Sequence, residues 1–251
     1  MLLNVAAYHF APVADPEALA ERLRARAESA NVRGTVLVAP EGLNLFLAGD
    51  GADVESVLEV VRAVPGFASI GIKRSWSHAQ PFGRLKVKVK PEIITFRREG
   101  TAPLHGRAPA VDPGTLATWI AQGHDDAGRR LVLLDTRNRE EFGYGTFEGA
   151  LTLPIDNFTE LPAALEPHRE ALSDATVVSF CTGGIRCEKA AMYLQADGMP
   201  NVLQLDGGIL GYFEQVGGYG YAGRCFVFDG RVALDPALAP MVDMPPADEG
   251  R

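Results

Sequence analysis

The sequence predicts an α/β protein of two domains: an N-terminal α+β domain, followed by a domain built on a doubly wound parallel sheet. Three observations support this prediction. The chain has 251 residues, which exceeds the usual size of a single domain. Apolar runs and helical patterns alternate along it, first as β-α-β-β-α-β and later strand by strand. A segment rich in proline, glycine and alanine separates the two patterns.

The N-terminal domain is predicted to span residues 1–98. Asp15 and Pro16 form the N-cap and first turn that commonly begin a helix. The turn at 40–42 returns the chain, so that the strands on either side form a hairpin. Strands are predicted at 2–10, 33–39, 43–48 and 69–75, and helices at 16–30 and 53–64. This order is the ferredoxin-like split arrangement.

A basic strand follows at residues 84–90. Leu85, Val87 and Val89 face one way, and cations face the other. These cations are Arg84, Lys86, Lys88 and Lys90, and the stripe is expected to extend to Lys73, Arg74, Arg97 and Arg98. Because the net charge is −8, any contact with nucleic acid depends on such a local patch. Two interpretations stay open: a tentative RNA-binding face that contacts phosphates, or an edge strand protected by lysines.

Residues 99–112 are predicted to be the linker, and residues 113–220 the second domain. Its buried strands are predicted at 131–134, 151–154, 177–180 and 202–205. Its helices are predicted at 113–122, 157–172 with a break at Pro167, 188–196 and 209–216. Asp135 and Arg137 follow the strand at 131–134, at the end where the sites of open α/β sheets lie.

A cysteine follows the strand at 177–180, and a glycine-containing turn and a helix come next. This candidate active-site loop consists of Cys181, Thr182, Gly183, Gly184, Ile185 and Arg186. Backbone N–H groups at the start of a helix favour negative charge, so they favour the thiolate of Cys181 over its thiol. Arg186 adds a fixed positive charge. The pattern predicts a nucleophilic cysteine that needs no neighbouring histidine, in preference to a buried core cysteine.

The length of this loop limits its chemistry. Four residues separate Cys181 from Arg186, one fewer than in the Cys-x5-Arg loop of cysteine-dependent phosphatases. The Cys-x-x-Gly-x-Arg pattern resembles the active loop of rhodanese sulfurtransferases. The string Cys-Thr-Gly-Gly-Ile-Arg-Cys-Glu-Lys at 181–189 resembles one branch closely, the bacterial rhodanese-domain tRNA uridine hydroxylases. The Asp-Thr-Arg-Asn at 135–138 and the Glu-Gly-Leu-Asn at 41–44 are similar to segments of that family as well.

The resemblance implies a rhodanese-like second domain and an activity on RNA. The implied reaction is 5-hydroxylation of the wobble uridine in tRNA, with molecular oxygen as co-substrate. The chemistry of the loop leaves a second function open, sulfur transfer from thiosulfate or another small donor through a Cys181 persulfide. A non-catalytic interaction module is disfavoured by the intact Cys181. No flavin, haem or iron motif is evident, and scattered histidines without a Cys-x-x-Cys motif predict no metal site.

Three further residues are expected to support the site. Asp135 is predicted to tether loops, and Arg137 either pairs with Asp135, Glu140 or Glu141 or contacts substrate. Cys187 is either a small packing residue at the start of the helix or a resolving thiol.

The remaining expectations concern the cellular compartment of the protein and its C-terminal segment. Three cysteines, one of them the predicted reactive thiol, indicate a reducing cytoplasm and not a disulfide framework. A basic leader and an apolar run of about 20 residues are both absent, which predicts no signal peptide and no membrane span. Residues 221–251 are predicted to form a hairpin with a type I′ turn at Asp229-Gly230, followed by a proline-rich acidic tail.

Overall fold

The computed structural model describes residues 1–104 and 106–243, which form two compact units. Unit 1 contains Met1–Thr95, Phe228–Val232 and the described residues from Pro240 onward. Unit 2 contains Phe96–Val227 and Ala233–Ala239. The first unit therefore ends a few residues before the predicted boundary at 98, and the C-terminal segment is divided between both units. Beyond Asp243, the predicted acidic tail lies outside the described residues.

Unit 1 has the predicted ferredoxin-like order, which is confirmed. Its elements are β1 (Leu2–Phe10), α1 (Pro16–Ser29), β2 (Arg33–Ala39), β3 (Gly42–Gly49), α2 (Gly51–Arg62), β4 (Ile72–Ser77) and β5 (Leu85–Val89). The sheet order is β4-β1-β3-β2-β5. β5 runs parallel to β2, and the other pairs are antiparallel. The basic strand is therefore an edge strand of this sheet.

Aspartate N-caps begin both helices of unit 1. The Asp15 carboxylate accepts a hydrogen bond from the Ala18 N–H at 2.9 Å, as its position before Pro16 predicts. Asp50 accepts from the Ala52 N–H at 3.0 Å, so α2 begins two residues earlier than its apolar spacing indicated. The helices bury one apolar face against the sheet in a single core, which includes Leu23, Val57, Val5, Leu45 and Val36.

Unit 2 is built on a parallel sheet in the order β6-β11-β10-β7-β9. The strands of this unit are β6 (Ala110–Val111), β7 (Leu131–Asp135), β8 (Gly145–Phe147), β9 (Leu151–Thr152), β10 (Thr176–Phe180), β11 (Val202–Leu205), β12 (Tyr221–Gly223), β13 (Cys225–Phe226) and β14 (Ala233–Leu234). The helices are α3 (Pro113–Gln122), α4 (Arg139–Phe142), α5 (Leu161–Leu165), α6 (Arg169–Leu172), α7 (Ile185–Ala196) and α8 (Gly208–Val216), with 3₁₀ turns at Phe158–Glu160 and Glu166–His168. The predicted parallel α/β domain is confirmed.

The central strand β10 is covered on both faces. Val178 and Phe180 share one core with Leu116 of α3 and Ile209 of α8. Ser179 points the other way, and its Oγ donates to the Cys187 carbonyl of α7 at 3.4 Å. Buried on both faces, β10 delivers the residue after it to the carboxyl edge of the sheet, where sites of open α/β sheets lie.

The structure corrects two predicted element boundaries, that of the linker and that of helix α7. Ala110–Val111, assigned to the linker, forms strand β6 and pairs with β11. Two residues are too few to show any periodicity in a sequence. Helix α7 begins at Ile185 instead of 188, because Gly184 adopts φ +108° and serves as its N-cap without a side-chain hydrogen bond.

The predicted type I′ turn at Asp229-Gly230 is wrong. β13 does pair with β14, but residues 227–232 connect them and Gly230 has no positive φ. Instead, the Asp229 carboxylate accepts hydrogen bonds from the Arg231 Nε at 2.9 Å and from the Arg231 Nη2 at 2.6 Å. Arg231 also donates to the Ser75 Oγ of β4 at 2.7 Å, which fixes this connection on the sheet of unit 1. No helix within the described ranges is long and apolar enough to cross a membrane.

Candidate active site

Cys181 lies at the carboxyl end of β10 and is fully buried. The Gly184 N–H donates to its Sγ at 3.2 Å. That amide reaches the sulfur because Gly184 takes a backbone conformation that L side chains rarely adopt. Negative charge on the sulfur is thus stabilised by an oriented amide at the first turn of α7, as predicted from the Gly183-Gly184 turn in the sequence.

Helix α8 holds the candidate active-site loop through two backbone hydrogen bonds. The Ile209 N–H donates to the Cys181 carbonyl at 2.9 Å, and the Leu210 N–H donates to the Thr182 carbonyl at 3.0 Å. The Thr182 hydroxyl donates to the Phe226 carbonyl at 3.3 Å. These contacts come from residues distant in sequence and hold the loop from two sides. Its shape therefore depends on α8 as well as on α7.

Gly208, the first residue of α8, is fitted against the loop. Its φ is +62°, and a Cβ built on it would lie 2.5 Å from the Cys181 carbonyl oxygen and 2.7 Å from the Gly184 nitrogen. Real Cβ atoms do not approach backbone atoms this closely. A glycine here is therefore required by contact with the loop, a role that the sequence analysis did not identify.

Arg186 forms a buried ion pair with Glu141 of α4. Its two terminal nitrogens donate to the Glu141 carboxylate at 2.5 and 2.6 Å, and both side chains are buried. Burial opposes the charge on Arg186, but Glu141 outweighs it and raises the pKa of the guanidinium. Burial likewise opposes ionisation of Glu141, while Arg186 lowers its pKa. A bidentate pair of this kind fixes the guanidinium plane beside the loop.

Asp135 and Arg137 form a second buried pair at the end of β7. Asp135 accepts from the Arg137 Nε at 2.9 Å and Nη2 at 2.6 Å. Arg137 also donates to the Gly145 carbonyl at 2.7 Å, and Asp135 accepts from the Thr146 hydroxyl at 2.8 Å. Of the predicted partners, Arg137 thus takes Asp135, whereas Glu141 pairs with Arg186. The pair ties the end of β7 to β8, in agreement with the expected tethering by Asp135.

The other two cysteines, Cys187 and Cys225, are buried as well. The Cys187 Sγ lies 3.9 Å from the Cys181 Sγ and donates to the Gly184 carbonyl at 2.9 Å. The Cys225 thiol lies near the backbone of Phe226, at 3.7 Å from its carbonyl. Burial raises the pKa of Cys225 to about 12, so it stays a thiol near neutral pH.

The thiol of Cys181 is acidified. Burial opposes its ionisation, but the Cys187 thiol, the Arg186 guanidinium and the loop amides outweigh burial and lower the pKa of Cys181 to about 5. Burial and the negative charge on Cys181 together raise the pKa of Cys187 well above its ordinary value. The loop therefore carries one thiolate and one thiol at neutral pH.

Alkylation of Cys181 is expected to lose rate only when the pH falls through about 5, since the thiolate is the reactive form. An unperturbed thiol would lose rate below about 8.5. Iodoacetamide labelling at Cys181, followed by peptide mass spectrometry from pH 4 to 9, measures this midpoint. Cys225 in the same sample serves as the internal control and should stay unlabelled near neutral pH. A Cys181 midpoint near 8.5 would contradict the prediction.

The basic strand belongs to unit 1, and the loop at 181–186 belongs to unit 2. All four cations Arg84, Lys86, Lys88 and Lys90 are exposed, while Val87 is buried. The expected extension by Lys73 and Arg74 is wrong, because β4 is the opposite edge of the sheet. Arg74 is there paired with Glu55 at 2.7 Å. Arg97 and Arg98 belong to unit 2.

Sequence reasoning missed Glu141 and Gly208. Glu141 lies 45 residues from Arg186, and its neighbour Glu140 offered an equal charge. A signal was present: Asn138 and Glu141 have the spacing of a capping box, and the Glu141 carboxylate accepts from the Asn138 N–H at 3.1 Å. A carboxylate fixed in this way at a helix start is a natural partner for a buried arginine.

Comparisons with known proteins agree with this architecture. Residues 2–93 match the model of the UPF0176 acylphosphatase like domain, and residues 116–215 match the Rhodanese-like domain. The predicted rhodanese-like character of the second domain is confirmed.

Relatives match over nearly the full chain. A protein of Xanthomonas campestris pv. campestris (strain 8004), named tRNA uridine(34) hydroxylase, is 65% identical over 97% of this chain and 96% of its own length. Relatives with the same name from Xanthomonas oryzae pv. oryzae (strain PXO99A) and Xylella fastidiosa (strain 9a5c) are 62% and 59% identical. They cover 100% and 97% of this chain, and 100% and 95% of their own lengths. With its acylphosphatase-like and rhodanese-like domains in this order, the chain belongs to the tRNA uridine(34) hydroxylase family.

Proposed function

We propose that this chain hydroxylates C5 of the wobble uridine of tRNA, with molecular oxygen as co-substrate and Cys181 as the nucleophile. The observation that carries the proposal is the match to relatives named tRNA uridine(34) hydroxylase at up to 65% identity over 97% of the chain. The acidified Cys181 supports the assigned role. The proposed substrate and the need for reduced thiols support a cytoplasmic location.

The loop suits covalent catalysis on a pyrimidine. A thiolate that adds to C6 of uracil moves electron density to C5 and O4, and C5 then becomes reactive towards an oxidant. The Gly184 amide bonds to the Cys181 sulfur, and the charge of Arg186 lowers the pKa of Cys181, so the thiolate needs no neighbouring base. Elimination of Cys181 after oxygen has been added at C5 restores the aromatic ring.

A deletion strain tests the proposal directly. Its tRNA nucleosides are measured by mass spectrometry after complementation with wild type, Cys181→Ser or Cys225→Ser. We expect 5-hydroxyuridine and its derivatives to return with wild type and with Cys225→Ser, and not with Cys181→Ser. Return with Cys181→Ser would remove the nucleophile from the proposal, and no return with wild type would refute the activity.

β5 is proposed to hold tRNA through its exposed cations. Lys86→Gln/Lys88→Gln is expected to weaken tRNA binding and to reduce the slope of log affinity against log salt by about 1.4–1.8, for two lost phosphate contacts. The control Arg22→Gln/Arg26→Gln removes the same charge from exposed positions of α1. Binding measured over a salt series distinguishes them. Equal slopes for both variants would reduce β5 to a lysine-protected edge.

Sulfur transfer is the second candidate, favoured by the short loop around an acidified cysteine. A persulfide on Cys181 would replace one anionic sulfur by another beside the same Gly184 amide and Arg186. Cyanide-dependent cleavage of thiosulfate by the purified protein tests it. Turnover with thiosulfate together with unchanged tRNA nucleosides in the deletion strain would favour this function over hydroxylation.

A further inference from the structure

The sulfur atoms of Cys181 and Cys187 both form hydrogen bonds with the backbone of Gly184. The Gly184 N–H donates to the Cys181 sulfur at 3.2 Å, and the Gly184 carbonyl accepts from the Cys187 sulfur at 2.9 Å. The two sulfur atoms lie 3.9 Å apart. A disulfide requires about 2.05 Å, so its formation would bring the two sulfur atoms closer by about 1.9 Å. Cys181 directly follows the central strand β10, and Cys187 lies in the first turn of α7.

The two sulfurs differ in protonation, as the members of a redox pair do. Cys181 is the acidified member and Cys187 the one whose proton is retained. Both are fully buried. A packing role alone requires neither the sulfur-to-sulfur approach nor the shared Gly184 unit.

The proposed hydroxylation needs two electrons from a source that has not yet been named. Inserting one atom of molecular oxygen into a C–H bond and reducing the other to water consumes two electrons and two protons. Resting on the proposed function, we propose that Cys187 is a further catalytic residue: with Cys181 it forms the dithiol that supplies both electrons and ends each turnover as the Cys181–Cys187 disulfide.

The step balances in atoms and electrons. Uridine C5–H, molecular oxygen, the Cys181 thiolate, the Cys187 thiol and one proton from solvent give uridine C5–OH, one water and the disulfide. The S–S bond forms, the O–O bond breaks, and the proton of Cys187 and the solvent proton leave with the oxygen atom that becomes water. An external thiol, oxidised in exchange, then reduces the disulfide and prepares the next turnover.

A single-turnover experiment tests this assignment. Fully reduced protein is freed of external thiol under anaerobic conditions and mixed with unmodified tRNA in oxygenated buffer. We expect no more than one 5-hydroxyuridine per protein, loss of two of the three thiols, and a crosslinked peptide containing Cys181 and Cys187. Added dithiothreitol should then permit many turnovers. Cys225→Ala is the control variant and should still lose two thiols, because its remaining pair is intact.

Cys187→Ser supplies the matching test of the residue itself. Without external thiol its single-turnover yield is expected to fall at least tenfold, and a small thiol such as 2-mercaptoethanol should restore part of it, which repair of mere packing would not do. Hydroxylation by wild type with all three thiols still free, or a disulfide to Cys225, would overturn the inference and leave the proposed function standing. No 5-hydroxyuridine under any supply of thiol and oxygen would refute the proposed function itself.

Discussion

Replacement of Glu141 by glutamine is expected to lower the free energy of unfolding by about 3–5 kcal/mol. The change keeps the size of the side chain but removes the charge that compensates Arg186, and both partners are buried. An arginine cannot shed its proton to escape burial, so the site bears the full cost of an unpaired charge. Urea unfolding measures the loss. The hydroxylation rate should fall with it, because the guanidinium plane is no longer held.

Glu140→Gln is the matched control for this prediction. It removes the same charge one residue away, from an exposed side chain, and should change the free energy of unfolding by less than about 0.5 kcal/mol. Because Arg186 lowers the pKa of Glu141, the pair stabilises the protein at neutral pH and this contribution disappears as acid protonates Glu141. The difference between wild type and Glu141→Gln should therefore shrink at low pH. A loss below about 1 kcal/mol at neutral pH would contradict the prediction.

Replacement of Gly208 by alanine is expected to displace the active-site loop. A left-handed backbone costs a non-glycine residue about 1–3 kcal/mol. The new Cβ would in addition overlap the Cys181 carbonyl and the Gly184 amide, and forced overlap in a packed region costs a further 1–3 kcal/mol or so. Because the overlapped atoms are those that place the sulfur, the hydroxylation rate should fall at least tenfold.

Gly198→Ala is the control that separates backbone strain from steric overlap of the new Cβ with the loop. Gly198 also has a positive φ, +86°, but no atom lies within 4 Å of its added Cβ. It should show the loss from backbone strain without the effect on the loop. Urea unfolding and hydroxylation rates of both variants are compared. Equal rates for Gly208→Ala and Gly198→Ala would show that α8 does not position the loop.

Local patterns in the sequence were enough to predict the order of elements. Asp15 before Pro16 marked the start of α1, and apolar spacing found the helices of unit 1. The position of Cys181 after a buried strand placed it at the carboxyl edge of the sheet. Each of these signals lies within a few residues and reflects intrinsic backbone preference.

What the sequence could not provide depends on partners distant along the chain. The pairing of Arg186 with Glu141 and the fit of Gly208 against Cys181 follow from packing between helices, which no local period encodes. The prediction of a type I′ turn at Asp229 was wrong for the same reason. The Asp-Gly pair favours a tight hairpin, but the ion pair of Asp229 with Arg231 and the hydrogen bond from Arg231 to Ser75 select a wider connection.

The anchoring of Arg231 on Ser75 has a consequence for biosynthesis. The two residues are 156 positions apart, so β4 leaves the ribosome long before the side chain that bonds to it. At about 5–20 residues per second, the delay is roughly 8–30 s. The nascent first unit therefore lacks this hydrogen bond while most of the second unit is being translated.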